Sequence, residues 1–252
     1  MIRLIFAALA LIIYLILWLP LMLILLLVRK RNRKLSAKIA LIWAVPFLKL
    51  ILFISGSKVT VIGKENIPTD EAVLFVSNHR SIFDVITAVA CMPVHAAFMA
   101  KIELSGYPLF SQWLTLLDVL FLDHTDIKQE LKSILKAIDL IKDGTSVWIC
   151  PEGTRNKNND NENLLEFKEG SLKMAEKTGC RVVPVAFYGT REVFERQFPK
   201  LVPSRITMEF GKPFRIKELP EDMRKRAGLY SREVISGMLR KETERRKETE
   251  KQ

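Results

Sequence analysis

The chain has 252 residues, of which 49% are hydrophobic and 27% charged, and its formal net charge is +11. This length suffices for one sizeable globular domain with a membrane-associated segment, and it argues against a second full domain. This positive net charge favours an anionic partner: a nucleic acid, an acidic membrane surface or a phosphorylated substrate. Net charge alone does not distinguish among these three.

The first apolar segment, residues 4–28, contains no charged residue and is long enough for a helix that crosses a bilayer, allowing for Pro20. A basic block at residues 29–38 follows where a signal peptide would carry small residues for cleavage, so a retained anchor is favoured over a cleaved signal. This block outweighs Arg3 on the other flank. The positive-inside rule therefore predicts that the rest of the chain lies at the cytoplasmic face of the cell membrane.

The second apolar segment, residues 39–54, is a poor span because it is shorter, carries Lys49 and is interrupted by Pro46. It suits a helix in the membrane interface or the return arm of a hairpin that enters one leaflet. A buried helix of the soluble domain is the remaining alternative. The predicted organisation is a two-helix membrane-associating segment at residues 1–56, an α/β domain at 57–215 and a charged C-terminal helical tail at 216–252.

From residue 58 onward the chain alternates short β-rich runs with amphipathic stretches. These runs predict strands at residues 58–62, 72–76, 119–123, 146–150, 181–188 and 205–210. Helical spacing predicts helices from residue 82, at 127–141 and at 167–177, and a surface helix after Pro220 that frays into solvent. The alternation predicts an α/β fold with a mixed, largely parallel central sheet flanked by helices.

The stretch SNHRSIFDV, residues 77–85, places His79 and Asp84 five positions apart after an apolar run. Five residues of continuous helix rotate by roughly 140°, so the two side chains meet only if the chain turns between them. With His79 on a strand-to-helix turn, Asp84 in the first helical turn reaches back to it, which suits a base held by a carboxylate. The plainer alternative is that Asn78 and Ser81 cap the helix and His79 is an ordinary loop histidine.

A second polar group follows the predicted strand at 146–150, and strand ends are where ligands gather in α/β sheets. The turn contains Glu152, Gly153, Thr154 and Arg155. Its glycine allows a substrate to approach the backbone, and Arg155 offers a planar fork for phosphate. The alternative is a polar surface turn without function.

Two lysines lie at the ends of predicted elements. Lys168 lies at a predicted helix start, where backbone N–H groups favour anions, and Lys101 follows an apolar run that has the pattern of a strand. For each of them, a solvated surface lysine is the alternative.

Four blocks occur in a fixed order along the chain. They are NHRSIFD at residues 78–84, DVLFLDH at 118–124, PEGTR at 151–155 and VPV at 183–185. With Lys101 and Lys168 between them, these blocks resemble the glycerolipid acyltransferase family, and four blocks in order over about 110 residues are far more specific than any one of them. The resemblance covers residues 59–213.

The resemblance implies acyl transfer from an acyl-CoA or acyl carrier protein thioester to the 2-hydroxyl of 1-acylglycerol 3-phosphate, which yields phosphatidic acid for phospholipid biosynthesis. His79 would be the general base, Asp84 would fix its tautomer, and Lys101 would stabilise the oxyanion. Substrate contacts would come from Glu152, Gly153, Thr154, Arg155 and Lys168. The donor thioester is a substrate, and no cofactor is implied.

The second block departs from the family pattern, because His124 stands where an arginine usually helps to bind the substrate phosphate. A neutral imidazole is a weaker phosphate ligand, so either Arg155 and Lys168 do more of this work or the acceptor differs. An apolar tunnel for the acyl chain is expected near Phe98, Trp113 or Phe121, residues that could equally be ordinary core.

Other classes of function receive less support. A metal site is not expected, because the histidines are only His79, His95 and His124 and the cysteines form no cluster. The expected partners are a membrane leaflet with its lysophospholipid and the acyl donor, and not nucleic acid. An acyltransferase for glycerol 3-phosphate or another lysolipid, and a non-catalytic module that binds anionic lipid, are the alternatives.

Overall fold

The computed structural model describes residues 1–123 and 125–250. The helices within these ranges are α1 Ile2–Leu17, α2 Leu19–Arg31, α3 Arg33–Ser55, α4 Ile82–Cys91, α5 Phe110–Leu116, α6 Ile127–Lys142, α7 Lys173–Thr178, α8 Glu221–Arg224 and α9 Ala227–Glu250. The strands are β1 Lys58–Ile62, β2 Leu74–Ser77, β3 Ala96–Lys101, β4 Leu120–Leu122, β5 Ser146–Ile149, β6 Val182–Tyr188 and β7 Arg205–Phe210.

The strands of the described residues form one seven-stranded sheet in the order β1-β7-β6-β2-β5-β3-β4. Neighbouring strands are parallel except for β6 and β7, so β7 and β1 run opposite to the other five. Helices connect most of the parallel strands, as crossover connections require. The predicted α/β class with a mixed, largely parallel sheet is therefore confirmed.

The central strands are buried on both faces, which explains why β2 is apolar without alternation. Leu74 and Val76 of β2 pack on the side of α6, α7 and α9, whereas Phe75 packs on the side of α4. On that second side, Trp148 lies between the rings of Phe75 and Phe98, with ring centroids 5.0 and 5.2 Å away. The sheet thus separates two layers of helices.

Two predicted elements differ from the structure in the middle of the chain. β3 was not among the predicted strands, although its apolar run correctly placed Lys101 at a strand end. The helix predicted at residues 167–177 is a 3₁₀ turn, Glu169–Leu172, followed by the short helix α7. Gly170 lies inside that turn, where its backbone freedom disfavours a regular α-helix.

The segment after Pro220 is helical, as predicted, and forms α8 and α9; α9 lies at the surface with one face on the sheet and continues to Glu250 without fraying within the described residues. Its residues Ile235, Met238 and Leu239 are buried in the core against the sheet. Burial acts to raise the pKa of Glu242 in the same helix, but hydrogen bonds from Arg245, Thr207 and Arg246 outweigh it and lower the value to about 2. A sparse apolar stripe is enough to pack α9 against the core, because only one face of the helix contacts the sheet.

The first apolar segment is two helices rather than one. α1 and α2 meet at Trp18 with a bend of 58°. Pro20 lies at the start of α2, where it lacks an N–H and clashes with the preceding turn if the helix continues. The pair has the form of a broken span or a re-entrant loop.

The second apolar segment is longer than its sequence pattern predicted. α3 is one continuous helix of 23 residues that passes through Pro46, and among the described residues it is the single unbroken helix long and apolar enough to cross a membrane. The helix starts at Arg33, capped by the side chain of Asn32, so the basic block is divided between the last turn of α2 and the start of α3. The helix is thus longer than the predicted residues 39–54, while the expectation that this segment does not span the bilayer stays a prediction.

Both ends of α3 are attached to the α/β domain. At its start, Arg33 pairs with Asp118 at 2.5 Å and with Asp143 at 2.6 Å, and Arg29 of α2 approaches Asp118 to 2.7 Å. At its end, Gly56 leads directly into β1. α3 therefore lies along one side of the domain, with its two ends held by the same globular unit.

Candidate active site

His79 and Asp84 meet at the end of β2. His79 Nδ1 lies 2.9 Å from Asp84 Oδ2, and the imidazole is 22% exposed while the carboxylate is buried. With the proton on Nδ1, the ring leaves Nε2 free to accept a proton from a substrate. The turn that was required for the two residues to meet is present, because β2 ends at Ser77 and α4 begins at Ile82.

The same carboxylate oxygen also organises the start of α4. Asp84 Oδ2 accepts hydrogen bonds from the backbone N–H of Arg80 at 2.7 Å and of Ser81 at 2.8 Å. Ser81 is the N-cap, and its side chain accepts from the N–H of Phe83, so the two form a capping box. Helix capping and the His–Asp pair, weighed above as alternatives, therefore occur together.

Asn78 fixes the turn from its other side. Its buried side-chain amide donates to the carbonyl of Phe187 at 2.9 Å and accepts from the N–H of the same residue at 2.8 Å. Asn78 thereby forms a side-chain bridge from the end of β2 to β6. Asn78 was expected to cap a helix and it opens the NHRSIFD block, but no local signal in the sequence distinguishes this bridge to β6 from a cap.

Glu152 holds the backbone of the turn that carries His79. One carboxylate oxygen accepts from the N–H of His79 at 2.8 Å, and the other accepts from the N–H of Leu165 at 3.0 Å. Burial raises the pKa of Glu152, and the two backbone hydrogen bonds oppose this shift. Both oxygens accept hydrogen bonds inside the protein, so the geometry supports a positioning role for Glu152, while its predicted substrate contact stays a prediction.

Arg155 lies at the surface beside the carboxylate of Glu195, which no sequence motif indicated. Its side chain is 52% exposed and pairs with Glu195 Oε1 at 2.9 Å. Glu195 also accepts from the Ser81 hydroxyl at 2.5 Å and from the N–H of Ile82 at 2.8 Å. Arg155, the Ser81 hydroxyl and the start of α4 thus converge on one negative group, as they would on a phosphate.

The remaining predicted substrate contacts lie around the turn after β5. Gly153 has a φ of 67°, which favours glycine at this position of the turn, and Thr154 is exposed. Lys168 is exposed, and its backbone N–H donates to the carbonyl of Pro151 at 3.2 Å, which ties it to the same turn. His124 lies outside the described residues.

Lys101 ends β3 with an exposed side chain, on the carboxyl edge of the sheet that also carries His79. β5 lies between β2 and β3, so the two strands are about 10 Å apart across the sheet. No hydrogen bond joins Lys101 to His79 or Asp84 in the described part of the chain. Its role at the oxyanion stays a prediction.

An apolar cavity of about 410 Å³ lies against the start of α4, where Ile82 and Phe83 line it, whereas His79 and Asp84 do not. Its walls come from α1, α3, α4 and α5, and it includes Ile82, the first residue of α4. Phe98 and Trp113 line it as predicted, whereas Phe121 does not. The carbonyl of Phe121 instead accepts hydrogen bonds from the side chains of Gln129 and Ser133 of α6.

Cys150 is the thiol that lies near the turn, and its environment makes it a poor nucleophile. Burial raises the pKa of Cys150 to about 12, with its sulfur 3.4 Å from the Ser77 hydroxyl. A thiol with this pKa has almost no thiolate at neutral pH. The arrangement therefore suits direct attack by a substrate hydroxyl, with His79 as the base, rather than an acyl-enzyme.

Comparisons with known proteins agree with this geometry. Residues 58–188, which hold the four blocks and the His–Asp pair, match the model of the Acyltransferase family. A 1-acyl-sn-glycerol-3-phosphate acyltransferase from Borreliella burgdorferi is 34% identical over 147 residues, which are 58% of this chain and 58% of that protein. The chloroplastic enzyme LPAT1 of Arabidopsis thaliana is 31% identical over 163 residues, 64% of this chain and 43% of its own length.

A solved structure extends the similarity to the N-terminal helices. The structure of PlsC from Thermotoga maritima, a 1-acyl-sn-glycerophosphate acyltransferase, superposes with a TM-score of 0.79 at 26% identity, covering 96% of this chain and 95% of that one. The matched regions of the first two relatives span about half the length of each. With the family model matching more than half of its residues, the chain belongs to the acyltransferase family.

Proposed function

We propose that this chain transfers an acyl group from an acyl-CoA or acyl carrier protein thioester to the 2-hydroxyl of 1-acylglycerol 3-phosphate, giving phosphatidic acid. The observation that carries the proposal is the His79–Asp84 pair at the start of α4, because the same helix contributes Ile82 and Phe83 to an apolar cavity walled by the N-terminal helices. Relatives that bear the name of this reaction, from a bacterium and a chloroplast, support the choice of acceptor.

In this mechanism His79 Nε2 accepts the proton of the acceptor hydroxyl as its oxygen attacks the thioester carbonyl. Asp84 stabilises the imidazolium that forms, because it is buried and within hydrogen-bond distance of Nδ1. The tetrahedral intermediate collapses with cleavage of the C–S bond, and His79 returns the proton to the leaving thiolate. Lys101, at the same edge of the sheet, is the proposed oxyanion partner.

The acceptor phosphate is proposed to bind Arg155, with added charge from Lys168. Arg155 provides a bidentate fork, and its side chain is half exposed at the turn that follows β5. Gly153 and Thr154 complete this turn. Glu152 contributes by holding the His79 backbone.

The apolar cavity is proposed to hold an acyl chain. Its size lies within the range of small-molecule sites, and its walls are almost entirely apolar side chains. α1 and α3 contribute to the cavity while presenting exposed apolar residues outward, among them Ile5 and Phe53. The same two helices therefore present apolar side chains to the leaflet on one side and line the proposed acyl-chain cavity on the other.

The N-terminal helices are proposed to lie in one leaflet at the cytoplasmic face of the cell membrane. Both ends of α3 are attached to one globular domain, which opposes a crossing that would separate them. The bent pair α1–α2 has the form of a hairpin that enters and returns. Division of the chain into residues 1–56, 57–215 and 216–252 stays a prediction.

The test offers detergent-purified protein an acyl-CoA together with lysophosphatidate, glycerol 3-phosphate and other lysolipids in competition, and identifies the products by mass. Phosphatidate formed by the wild type and not by the His79→Ala variant is the expected result. Preferred acylation of glycerol 3-phosphate or another lysolipid would replace the proposed acceptor. No product with either an acyl-CoA or a carrier-protein thioester would favour a lipid-binding module.

A further inference from the structure

Helix α6 carries an apolar stripe that faces solvent. Ile127, Leu131 and Leu135 are 82%, 55% and 52% exposed. They occur at every fourth residue, so they form one row that extends over about 12 Å of the helix. Single exposed apolar side chains are ordinary, but three in one row on a helix indicate a contact surface.

A row of lysines runs beside this apolar row. Lys128, Lys132 and Lys136 each follow one of the three apolar residues, and all three are exposed. None of them forms an ion pair with another residue of the described ranges. The helix thus presents an apolar row and a cationic row in parallel; we name these six residues the α6 stripe.

The orientation of α6 is fixed by its opposite face. Ala137, Ile138 and Ile141 are buried against the sheet. On the same helix, the side chains of Gln129 and Ser133 both donate to the carbonyl of Phe121 in β4. The exposed row is therefore a second apolar face, and not a core face that has rotated outward.

The α6 stripe lies toward the catalytic edge of the sheet and away from the leaflet. α6 begins soon after the carboxyl end of β4, the edge that carries Lys101 and the His79 turn, and the stripe occupies its first ten residues. α6 packs on one layer of the sheet, whereas α1, α3 and α4 pack on the other. At the other end of the helix, Asp143, the residue after α6, pairs with Arg33 at the start of α3.

We propose that the α6 stripe is the docking surface for an acidic carrier protein that delivers the acyl thioester. This inference rests on the proposed function. An apolar row bordered by cations complements a helix that has acidic and apolar side chains, and such charges steer encounter and fix register. The location next to the catalytic edge lets a flexible thioester arm reach His79 from the side opposite the membrane helices.

The experiment compares two donors with the same acyl chain, an acyl carrier protein thioester and an acyl-CoA, at fixed lysophosphatidate. The combined variant K128E, K132E and K136E is expected to lower kcat/KM for the carrier donor at least about tenfold through KM, and to change the acyl-CoA value by less than about twofold. The combined variant Leu131→Gln and Leu135→Gln is expected to act in the same direction. Added salt should weaken the wild-type reaction with the carrier donor more than that with acyl-CoA.

A matched control reverses three exposed lysines elsewhere, K173E, K177E and K247E, and should leave both donors unaffected. Equal loss with both donors in the α6 variant, or a greater loss with acyl-CoA, would overturn the proposal. Loss of binding to anionic vesicles would assign the stripe to lipid instead. Direct binding of acidic carrier protein to the full chain, measured by fluorescence anisotropy, tests docking even if the wild type proves inactive; failure to bind would refute it.

Discussion

The carboxylate of Glu152 accepts the backbone N–H of His79 at 2.8 Å, although the two residues are 73 positions apart. The PEGTR block thus supports the NHRSIFD block, because Glu152 follows β5 and His79 follows the neighbouring strand β2. A buried carboxylate that satisfies two backbone donors fixes where His79 lies, independently of any substrate.

The first prediction concerns Glu152→Gln, in which the amide offers only one acceptor oxygen for the two N–H donors. One buried N–H donor then lacks an acceptor, at a cost of about 1–3 kcal/mol. If this cost displaces the His79 turn, kcat is expected to fall by about tenfold to hundredfold. The KM for the phosphorylated acceptor should change little, since Glu152 does not face it. Steady-state kinetics check this split, and a rise in KM alone would restore the substrate contact predicted from the sequence.

The second prediction compares His79→Ala, Asp84→Asn and Asp84→Ala. His79→Ala should reduce turnover by about a thousandfold or more while membrane association is retained. Asp84→Asn keeps an oxygen that can cap α4 but removes the charge that stabilises the imidazolium, so it should lose activity and keep the fold. Circular dichroism and melting temperature separate it from Asp84→Ala, which should also lose helix stability by about 1 kcal/mol. An active His79→Ala enzyme would disprove the base assignment.

The third prediction uses the Arg155–Glu195 pair. Arg155→Ala should raise the KM for the phosphorylated acceptor by about tenfold, with a smaller effect on that of the thioester. Glu195→Gln removes the negative charge that now occupies Arg155 and the start of α4, so the KM for the same acceptor should fall. If Glu195→Gln raises this KM instead, Glu195 orients Arg155 rather than competing with the phosphate.

The fourth prediction concerns Asp118, which holds Arg29 and Arg33 of the membrane-associated helices. Burial acts to raise the pKa of Asp118, but hydrogen bonds from His95 and Arg29 and the charges of the two arginines outweigh it and lower the value. Asp118 has a φ of 62°, which asparagine tolerates, so Asp118→Asn removes the charge with little backbone strain. The variant should lose about 1–3 kcal/mol of stability at neutral pH.

The sign of the pH dependence follows from that lowered value. The contribution of a carboxylate with a depressed folded pKa is complete above the unfolded value of about 3.9 and is lost as pH falls through the folded value. The difference in unfolding free energy between wild type and Asp118→Asn should therefore shrink as the pH falls below about 4. Denaturant melts in detergent at several pH values measure it, and a difference that grows in acid would contradict the ion-pair account.

Much of the chain could be predicted from sequence because the signals are local. β1 and β7 have the predicted bounds, and the meeting of His79 with Asp84 depends on a capped turn only a few residues long. Hydrophobic period, turn residues and a capping box all act over a single element, so the sequence shows them directly. The order of the four blocks then indicated the family that the comparisons confirm.

Only the tertiary structure shows the hydrogen bonds and packing contacts between residues that are distant in the sequence. Asn78 and Phe187 are 109 positions apart and Ser81 and Glu195 are 114 apart, so neither partner could be selected from spacing. The packing of α9 and the attachment of α3 to Asp118 likewise follow from which surfaces the sheet brings together. The sequence determined most of the elements and the His79–Asp84 pair because they are local, whereas only the folded sheet determined which charges position this pair and which remain exposed.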